Sequence, residues 1–177
     1  TTPWTMPANQ AISVNPELDY SWVKIGDEAW LLANGLIETA TKEMGVESYE
    51  VLNTFKGSEL ELANFKHPFA DRNAPILLGS HVTLEAGTGC VHTAPAHGED
   101  DFNVVKAYKD AGKIDFDILS LVDATGRYIA KVDEPRYGDT EQPLAGVEIH
   151  DAEVPVIKIL AHSGALVQKG NIRHQYA

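Results

Sequence analysis

Short runs of alternating hydrophobic and polar residues fill the first third of the chain and predict a series of β-strands. Side chains alternate between the two faces of a strand, so this period-2 pattern is typical of strands with one buried face. Turn-forming residues, including Asn15, Pro16, Gly26 and Asp27, separate the runs. The four predicted strands cover residues 10–14, 20–25, 28–33 and 49–55.

Three longer segments predict helices, and a glycine at the end of each predicts where it stops. Asn34 is a candidate N-cap for the first helix. The second is the clearest, because it begins with three acidic residues that complement the positive end of the helix dipole. The predicted helices span residues 34–45, 99–111 and 151–163, with Gly45, Gly112 and Gly164 as their stops.

The remaining segments have a less regular pattern. Many short strands combined with about three helices predict a mixed α+β domain, with a β-barrel-like core and the helices packed around it. We expect residues 1–177 to form a single domain, since 44% of them are hydrophobic. We predict loops at residues 67–75 and from the end of the 127–132 segment to residue 146. We predict one or two strands within residues 76–94, and further short strands at 116–122, 127–132, 165–169 and 172–176.

The first residues and the cysteine content bear on the cellular context. The chain opens on "TTPWT" without an initiator Met, and no signal peptide precedes the first strand, so we expect a domain excised from a longer protein. No run approaches the roughly 18 apolar residues of a membrane span, so no membrane contact is expected. Cys90 is the only cysteine, which leaves no disulfide framework within the chain and favours a reducing, cytoplasmic compartment.

The acidic composition narrows the classes of partner. The formal net charge is −12 at pH 7. Proteins that hold nucleic acid on their surface neutralise its phosphates with lysine and arginine. This charge therefore argues against a surface that binds the body of a nucleic acid, and the single cysteine excludes a cysteine-based zinc site.

The stretch "GTGCVHTAPAHGEDDF", residues 87–102, concentrates chemistry between a predicted strand and a predicted helix. Alternation places Thr88, Cys90 and His92 on one strand face. His92 is either a ligand-binding residue or a hydrogen-bonded core histidine, and the stretch alone leaves both open. We expect Cys90 to be structural and His97 to shape the loop rather than act as a base.

Asp101 stands out among the acids of the second predicted helix. It shares a helix face with Val104, Val105 and Tyr108, at spacings of three, four and seven residues. We therefore predict that its carboxylate points along the apolar stripe, toward the core or a pocket. A carboxylate there needs a cationic or hydrogen-bonding partner, and a ligand ammonium is one candidate.

The N-terminal stretch "TTPWTMPAN", residues 1–9, is the second unusual segment. The hydroxyls of Thr1, Thr2 and Thr5 can bind a ligand or turn the backbone. Trp4 lies between them and is expected to be a packing anchor rather than a stacking platform. This segment alone does not decide between the two roles of its threonines.

Together the two stretches resemble the editing (CP1) domain inserted in isoleucyl-tRNA synthetases, members of the class I aminoacyl-tRNA synthetase family. "HPFADR" (67–72), "LGSHVT" (78–83) and "AGVEIHDA" (145–152) are similar to further landmarks of that family, in the same order. The resemblance spans essentially the whole chain. The family usually has three consecutive threonines where this chain begins with two. It also has "APGHG" where Ala96 replaces the first glycine here, so we expect backbone strain or a shifted loop at that position.

The resemblance implies a proofreading hydrolase, the part of an isoleucine–tRNA ligase that lacks the synthetic site. It would cleave the ester of valyl-tRNA(Ile), or valyl-adenylate, and reject isoleucyl-tRNA(Ile). A synthetic site cannot exclude a smaller substrate, since one methylene is worth only about 1–3 kcal/mol, a range that itself includes measurements on this enzyme family. A second pocket supplies the missing discrimination, and no cofactor is implied.

The resemblance also implies roles for individual residues. Asp101 would pair with the α-ammonium of the mischarged amino acid. Thr5 and His92 would line the side-chain pocket and reject the extra methylene, and Thr1 and Thr2 would contact the terminal adenosine or orient the attacking water. The implied catalytic residues are Asp101, Thr2 and Thr1, and the implied substrate-binding residues are Thr1, Thr2, Trp4, Thr5, Asn9, His92 and Asp101.

The implied partners are the 3′ CCA end of mischarged tRNA(Ile), its valine moiety or valyl-adenylate, and the rest of the parent synthetase, with the domain itself a monomer. Two other functions stay open. The first is a non-catalytic module that binds an amino acid or a tRNA 3′ end through Asp101. The second is a metal hydrolase that uses His92, His97 and an acid, although HExxH is absent and Pro95 keeps both histidines off one helix.

Overall fold

The computed structural model describes residues 1–138 and 143–170, and its elements confirm the mixed α+β class. Its strands are β1 Ala11–Val14, β2 Asp19–Ile25, β3 Glu28–Ala33, β4 Glu50–Lys56, β5 Asn64–Lys66, β6 Asn73–Leu78 and β7 Val91–Thr93. They form a four-stranded sheet with the order β5-β6-β1-β7 and a three-stranded sheet with the order β3-β2-β4. The core predicted as barrel-like is therefore built from two separate sheets over these described residues.

Strand β1 lies between two partners and sets the position of the histidine in the 87–102 stretch. It pairs in parallel with β6, with Ile12 opposite Ile76, and antiparallel with β7, with Ile12 opposite His92. The N-terminal stretch leads directly into β1. Strand pairing therefore carries residues 1–9 to the strand that holds His92.

The three predicted helices are present. Each is followed by its predicted glycine in the left-handed geometry that glycine adopts most easily, with φ angles of 70° at Gly45, 66° at Gly112 and 73° at Gly164. The N-cap predicted at Asn34 is wrong: Asn34 begins a 3₁₀ turn, and its Oδ1 accepts a hydrogen bond from Ser21 Oγ at 2.7 Å. The helices are α1 Ile37–Glu43, α2 Glu99–Asp110, α3 Pro135–Gly138 and α4 Glu153–His162.

Several of the short strands predicted in the second half are absent. Residues 116–122 and 127–132 form no strand: they contribute to two isolated bridges, Val122 with Tyr128 and Arg127 with Glu148, and the second segment ends in a 3₁₀ turn, Ala130–Asp133. Apolar side chains from Leu119 to Val132 pack in the cluster that contains the N-terminal turn and α4, whereas Phe116 and Ile118 pack against α2 and the first sheet. Residues 165–169 form no strand either, and 172–176 lie outside the described residues. The loop predicted at 67–75 ends earlier than expected, because β6 begins at Asn73.

Two of the four hydrophobic clusters among the described residues surround the elements that carry the 1–9 and 87–102 stretches. One spans both sheets, through Val14 and Ile76 on the first sheet and Tyr20 and Ala33 on the second. The other surrounds the N-terminal turn and consists of Ala8, Ala94, Leu121, Tyr128, Val132, Leu144, Ala152 and Val156. Within the described ranges, none of the helices has the length and apolar content needed to cross a membrane.

Gly89 joins the 87–102 stretch to the second sheet and gives a matched test of packing. Its φ is +76°, and a Cβ at this position would lie 2.4 Å from the Ala33 Cβ. Gly87 has a φ of +80° but open space around it. We expect Gly87→Ala to lower the free energy of unfolding by about 1–2 kcal/mol, the cost of a left-handed alanine. Gly89→Ala should cost about 1–3 kcal/mol more through overpacking. Urea unfolding of both variants checks this, and equal losses would contradict the packing argument.

Candidate functional site

The N-terminal stretch folds into a compact 3₁₀ turn, Pro3–Ala8, because proline at its first position fixes a helical φ and removes a donor that has no partner there. Thr5 is buried inside this turn. The Thr5 hydroxyl donates to the Thr2 carbonyl at 2.8 Å, and the Thr5 amide donates to the same oxygen at 3.2 Å. The turn thus presents the Thr5 side chain toward β7.

His92 lies between two residues of the N-terminal stretch. Its Nε2 is 2.9 Å from Thr5 Oγ1, and its Nδ1 is 2.7 Å from Asn9 Nδ2. The same Asn9 Nδ2 donates to the Ala11 carbonyl at 2.9 Å, which identifies this atom as the amide nitrogen rather than the oxygen. Asn9 therefore donates to His92 Nδ1, which leaves the ring proton on Nε2.

A directed chain of hydrogen bonds follows from that tautomer. Asn9 donates to His92 Nδ1, His92 Nε2–H donates to Thr5 Oγ1, and Thr5 donates to the Thr2 carbonyl. Burial is the main cause that lowers the pKa of His92 to about 3, and electrostatic interaction with the chain's amino terminus, His67 and His97 contributes to the same shift. His92 is therefore a neutral, oriented ring at neutral pH.

Asp101 lies in the first turn of α2, beside the end of β7. Val105 and Tyr108 on its helix face are buried, which confirms the predicted direction of the apolar stripe. Asp101 Oδ2 accepts a hydrogen bond at 2.8 Å from the Ala94 amide, two residues beyond His92. Asp101 Oδ1 accepts no hydrogen bond from any described residue. One oxygen thus fixes the carboxylate to the end of β7, and the other remains available.

Burial also changes the acidity of this carboxyl. It raises the pKa of Asp101 above its ordinary value, an effect that the Ala94 hydrogen bond and the charge of His81 oppose. A half-buried carboxylate with one unused oxygen is a site where a cationic ligand group gains from charge pairing. The predicted need of Asp101 for a partner is met in part by a backbone amide.

The sequence interpretation missed the three side chains that hold the N-terminal turn from outside. Tyr128 OH donates to the Trp4 carbonyl, His67 Nε2–H donates to the Met6 carbonyl at 2.9 Å, and Arg72 donates to the carbonyls of Pro7 and Asn9. His67 and Arg72 both lie in "HPFADR", which was read only as a landmark of resemblance. The only sequence signal for this role is that both residues are polar and lie in a turn-rich segment.

A comparison with known families matches residues 33–132, which include His92 and Asp101, to the family described as "Leucyl-tRNA synthetase, editing domain". The chain belongs to the aminoacyl-tRNA synthetase editing-domain family. It is 48% identical over 177 residues to an isoleucine–tRNA ligase of Brevibacillus brevis, and 43% identical over 176 residues to one of Mannheimia succiniciproducens. Each match covers 99% of this chain and 17% of the relative, and together they confirm the isoleucyl-type resemblance.

Solved structures confirm the fold of this editing domain. The crystal structure of GlLeuRS-CP1 matches with a TM-score of 0.71 at 16% identity and covers 99% of this chain and 82% of that one. The editing domain of the P. knowlesi cytosolic leucyl-tRNA synthetase matches with a TM-score of 0.68 at 14% identity and covers 93% of this chain and 80% of that one. At these identities the likeness concerns the fold alone.

The structure places the remaining candidate residues of the editing domain at varying distances from this network. Thr2 contributes its carbonyl oxygen, whereas Thr1 is exposed. Trp4 packs against the cluster around the N-terminal turn, with its ring in edge contact with His97 at 4.8 Å between centroids, as expected for a packing anchor. Cys90 packs against the cluster that spans the sheets, and burial raises the pKa of its thiol to about 12.

Two further expectations concern the loop around His97. Among the described residues, Leu62 alone of the non-glycines has a positive φ, so Ala96 carries no left-handed strain, and the alternative expectation of a shifted loop stays a prediction. Residues 94–97 form a turn closed by the His97 amide and the Ala94 carbonyl at 2.9 Å. Over residues 1–138 and 143–170, no three histidine, cysteine or acidic side chains are grouped so that they could hold a metal ion.

His67 makes the stability of the editing domain depend on pH. Its ring is 2% exposed, its Nε2–H donates to Met6, and its Nδ1 accepts from the Ala70 amide at 2.9 Å, so the folded state holds it neutral. Burial, followed by the charge of Arg72, lowers its pKa from 6.5 to about 4. Between these values the unfolded chain binds a proton that the folded chain does not.

The free energy of unfolding should therefore fall as the pH drops from 6.5 to 4, by about 3 kcal/mol from His67. Urea unfolding at pH 7 and pH 4 measures this loss. The variant His67→Gln keeps an amide that can donate to Met6 but does not titrate, so its loss over the same range should be smaller by about that amount. An equal loss in both proteins would contradict the role of His67.

Proposed function

We propose that this editing domain hydrolyses the ester of valyl-tRNA(Ile), or valyl-adenylate, and rejects isoleucyl-tRNA(Ile). The observation that carries the proposal is the hydrogen-bonded chain of Asn9, His92 and Thr5 beside a half-buried Asp101 with one unused carboxylate oxygen. A neutral, shaped wall beside an anionic group fits an amino acid whose side chain is apolar and whose amine is charged. The chain spans 17% of the relatives it matches, so the parent protein's activity is part of this proposal.

Asp101 binds the α-ammonium of the aminoacyl group through Oδ1. This contact is charge-assisted and sits in a partly dry environment, where such bonds are strong. Because the α-amine is attached to the carbon next to the ester carbonyl, fixing the amine also fixes the carbonyl. Positioning of this kind can supply a large share of the rate enhancement for an ester that is already activated.

Hydrolysis then requires a water molecule on one face of the ester carbonyl. Thr1 and Thr2 are the residues proposed to orient this water or the terminal ribose with their hydroxyls. Attack forms a C–O bond and a tetrahedral oxyanion, and collapse of this intermediate breaks the bond to the ribose oxygen, which takes up a proton. The products are free valine and uncharged tRNA.

Thr5 and His92 set the specificity in this proposal. Both side chains are fixed by hydrogen bonds at both ends, since His92 bonds Asn9 and Thr5, and Thr5 bonds His92 and Thr2. Because the two side chains cannot move aside, they exclude the extra methylene of isoleucine, whereas valine fits. Close-packed interiors resist the insertion of even one methylene.

The net negative charge of the chain fits a tRNA that contacts this domain only through its 3′ end. We propose that the single-stranded CCA end reaches the site, while the rest of the parent synthetase, in the cytoplasm, holds the tRNA body. The domain itself would act as a monomeric insertion. Isolated from its parent, it should bind tRNA weakly, because a net charge of −12 repels phosphates.

The test is hydrolysis of valyl-tRNA(Ile) and isoleucyl-tRNA(Ile) in EDTA, with the chain at high concentration and, in parallel, with a synthetase that contains it. Selective loss of the valyl ester is the expected result. Binding of both tRNAs without cleavage in either protein would favour the binding-only module. Activity that EDTA abolishes and zinc restores would favour the metal hydrolase.

A further inference from the structure

Arg72 is a half-buried cation that binds only backbone carbonyls. Its Nε and Nη2 donate to the Asn9 carbonyl at 3.0 and 2.9 Å, Nη2 also donates to the Pro7 carbonyl, and Nη1 donates to the Arg136 carbonyl at 2.9 Å. Within the described part of the chain, no carboxylate lies within salt-bridge distance of it. The guanidinium therefore joins the N-terminal turn to α3 through three oxygens.

Removing a guanidinium from water costs free energy unless its N–H groups donate hydrogen bonds within the protein. Burial lowers the pKa of Arg72 to about 10, so it remains charged at neutral pH. Its planar fork can bind two carbonyls of one turn and a third on the opposite side at once, which the single nitrogen of lysine cannot reproduce. Such a group holds the Pro7–Asn9 backbone in one place.

Asn9 links this backbone to the candidate site. One side-chain nitrogen donates both to the Ala11 carbonyl and to His92 Nδ1, so both of its hydrogens are used. The Asn9 side chain is 3% exposed and its Oδ1 has no hydrogen-bond partner among the described residues. Its remaining hydrogen bonds are made by its backbone, whose amide donates to the Met6 carbonyl at 3.0 Å and whose carbonyl accepts twice from Arg72.

We propose that Arg72 is a positioning residue for ester hydrolysis, acting through the Asn9 backbone to hold His92 in its Nε2–H tautomer. This inference rests on the proposed function for its effect on rate, but its effect on His92 does not. When Asn9 moves, His92 Nδ1 loses its donor and the ring can carry its proton on Nδ1 instead. Thr5 then has to turn its hydrogen from the Thr2 carbonyl to His92 Nε2, and the wall loses its fixed shape.

The experiment compares wild-type protein with Arg72→Ala, Arg72→Lys and the control Arg136→Met. Arg136 carries the same charge near Arg72 but has an exposed side chain, and Arg72 contacts only its carbonyl. One readout is the ¹⁵N chemical shifts of the His92 ring in the 177-residue chain, which distinguish the two tautomers. The other is kcat and KM for valyl-tRNA(Ile) in the full synthetase.

Chemical rescue separates positioning from general destabilisation. Methylguanidinium fits the space left in Arg72→Ala and restores the fork, whereas methylammonium restores only a charge. We expect kcat to fall about 100-fold in Arg72→Ala with KM changed less than about threefold, as for a misplacement of about 1 Å. Methylguanidinium, but not methylammonium, should recover both kcat and the wild-type His92 signals.

Unchanged His92 shifts and kcat in a folded Arg72→Ala would overturn the inference, as would equal rescue by both additives. If Arg72→Ala does not fold, Arg72→Lys decides: a folded lysine variant with wild-type His92 shifts contradicts the need for a fork. Arg136→Met should match the wild type in every measurement. If the wild-type synthetase cleaves neither ester, the proposed function fails, and the His92 shifts still decide the role of Arg72.

Discussion

Replacing Asp101 by asparagine is expected to lower hydrolysis of valyl-tRNA(Ile) by at least about 100-fold, equivalent to about 2.7 kcal/mol of transition-state stabilisation. The change removes the negative charge opposite the substrate ammonium and keeps the size of the side chain. Asparagine Oδ1 can still accept the hydrogen bond from the Ala94 amide, so the end of β7 should stay in place. The measurement is the rate of valine release under single-turnover conditions.

Asp100→Asn is the matched control for this prediction. Asp100 precedes Asp101 in the first turn of α2, but its side chain is exposed and lies off the apolar face. The Asp100→Asn substitution removes the same charge from the same helix end, so any effect of overall charge or of the helix dipole appears in both variants. A loss of similar size in Asp100→Asn would assign the effect to the helix end and remove Asp101 from the site.

Removing the wall formed by Thr5 and His92 should lower the specificity for the valyl ester without abolishing hydrolysis. His92→Ala opens space where the extra methylene of isoleucine is rejected, and Thr5→Ala removes the group that His92 Nε2–H donates to. We expect the preference for the valyl over the isoleucyl ester to fall about 10- to 100-fold in each variant, since one methylene accounts for about 1–3 kcal/mol. Initial rates on both esters measure this ratio.

Cys90→Ala serves as the control for the specificity variants. Cys90 lies two residues before His92, but its thiol packs toward the Leu31 carbonyl and the cluster that spans the sheets. Its replacement should leave the ratio of the two ester rates unchanged. If the two wall variants also keep the wild-type ratio, Thr5 and His92 do not form the rejecting surface.

Features that depend on neighbouring residues were readable from the sequence. Helix α2 has an acidic first turn, an apolar stripe and a closing glycine within 14 residues, so its bounds and the direction of Asp101 followed from local periodicity. The same local logic failed for residues 116–132, where apolar residues at strand-like spacing pack into two clusters and form only isolated bridges and a terminal 3₁₀ turn. Pairing partners are non-local, so propensity alone cannot supply them.

The sequence by itself determined the mixed class of the fold, the three glycine-terminated helices and the two stretches that contain the candidate chemistry. Only the tertiary structure decided how those stretches meet. The pairing of β1 with β7 brings His92 within hydrogen-bond distance of Thr5 and Asn9, across separations of 87 and 83 residues. The tertiary structure also decided that the carbonyls of the N-terminal turn are bound by His67, Arg72 and Tyr128. Some carbonyls of a 3₁₀ turn, those at its end above all, have no internal partner, and which distant donors satisfy them is fixed only when the whole chain packs.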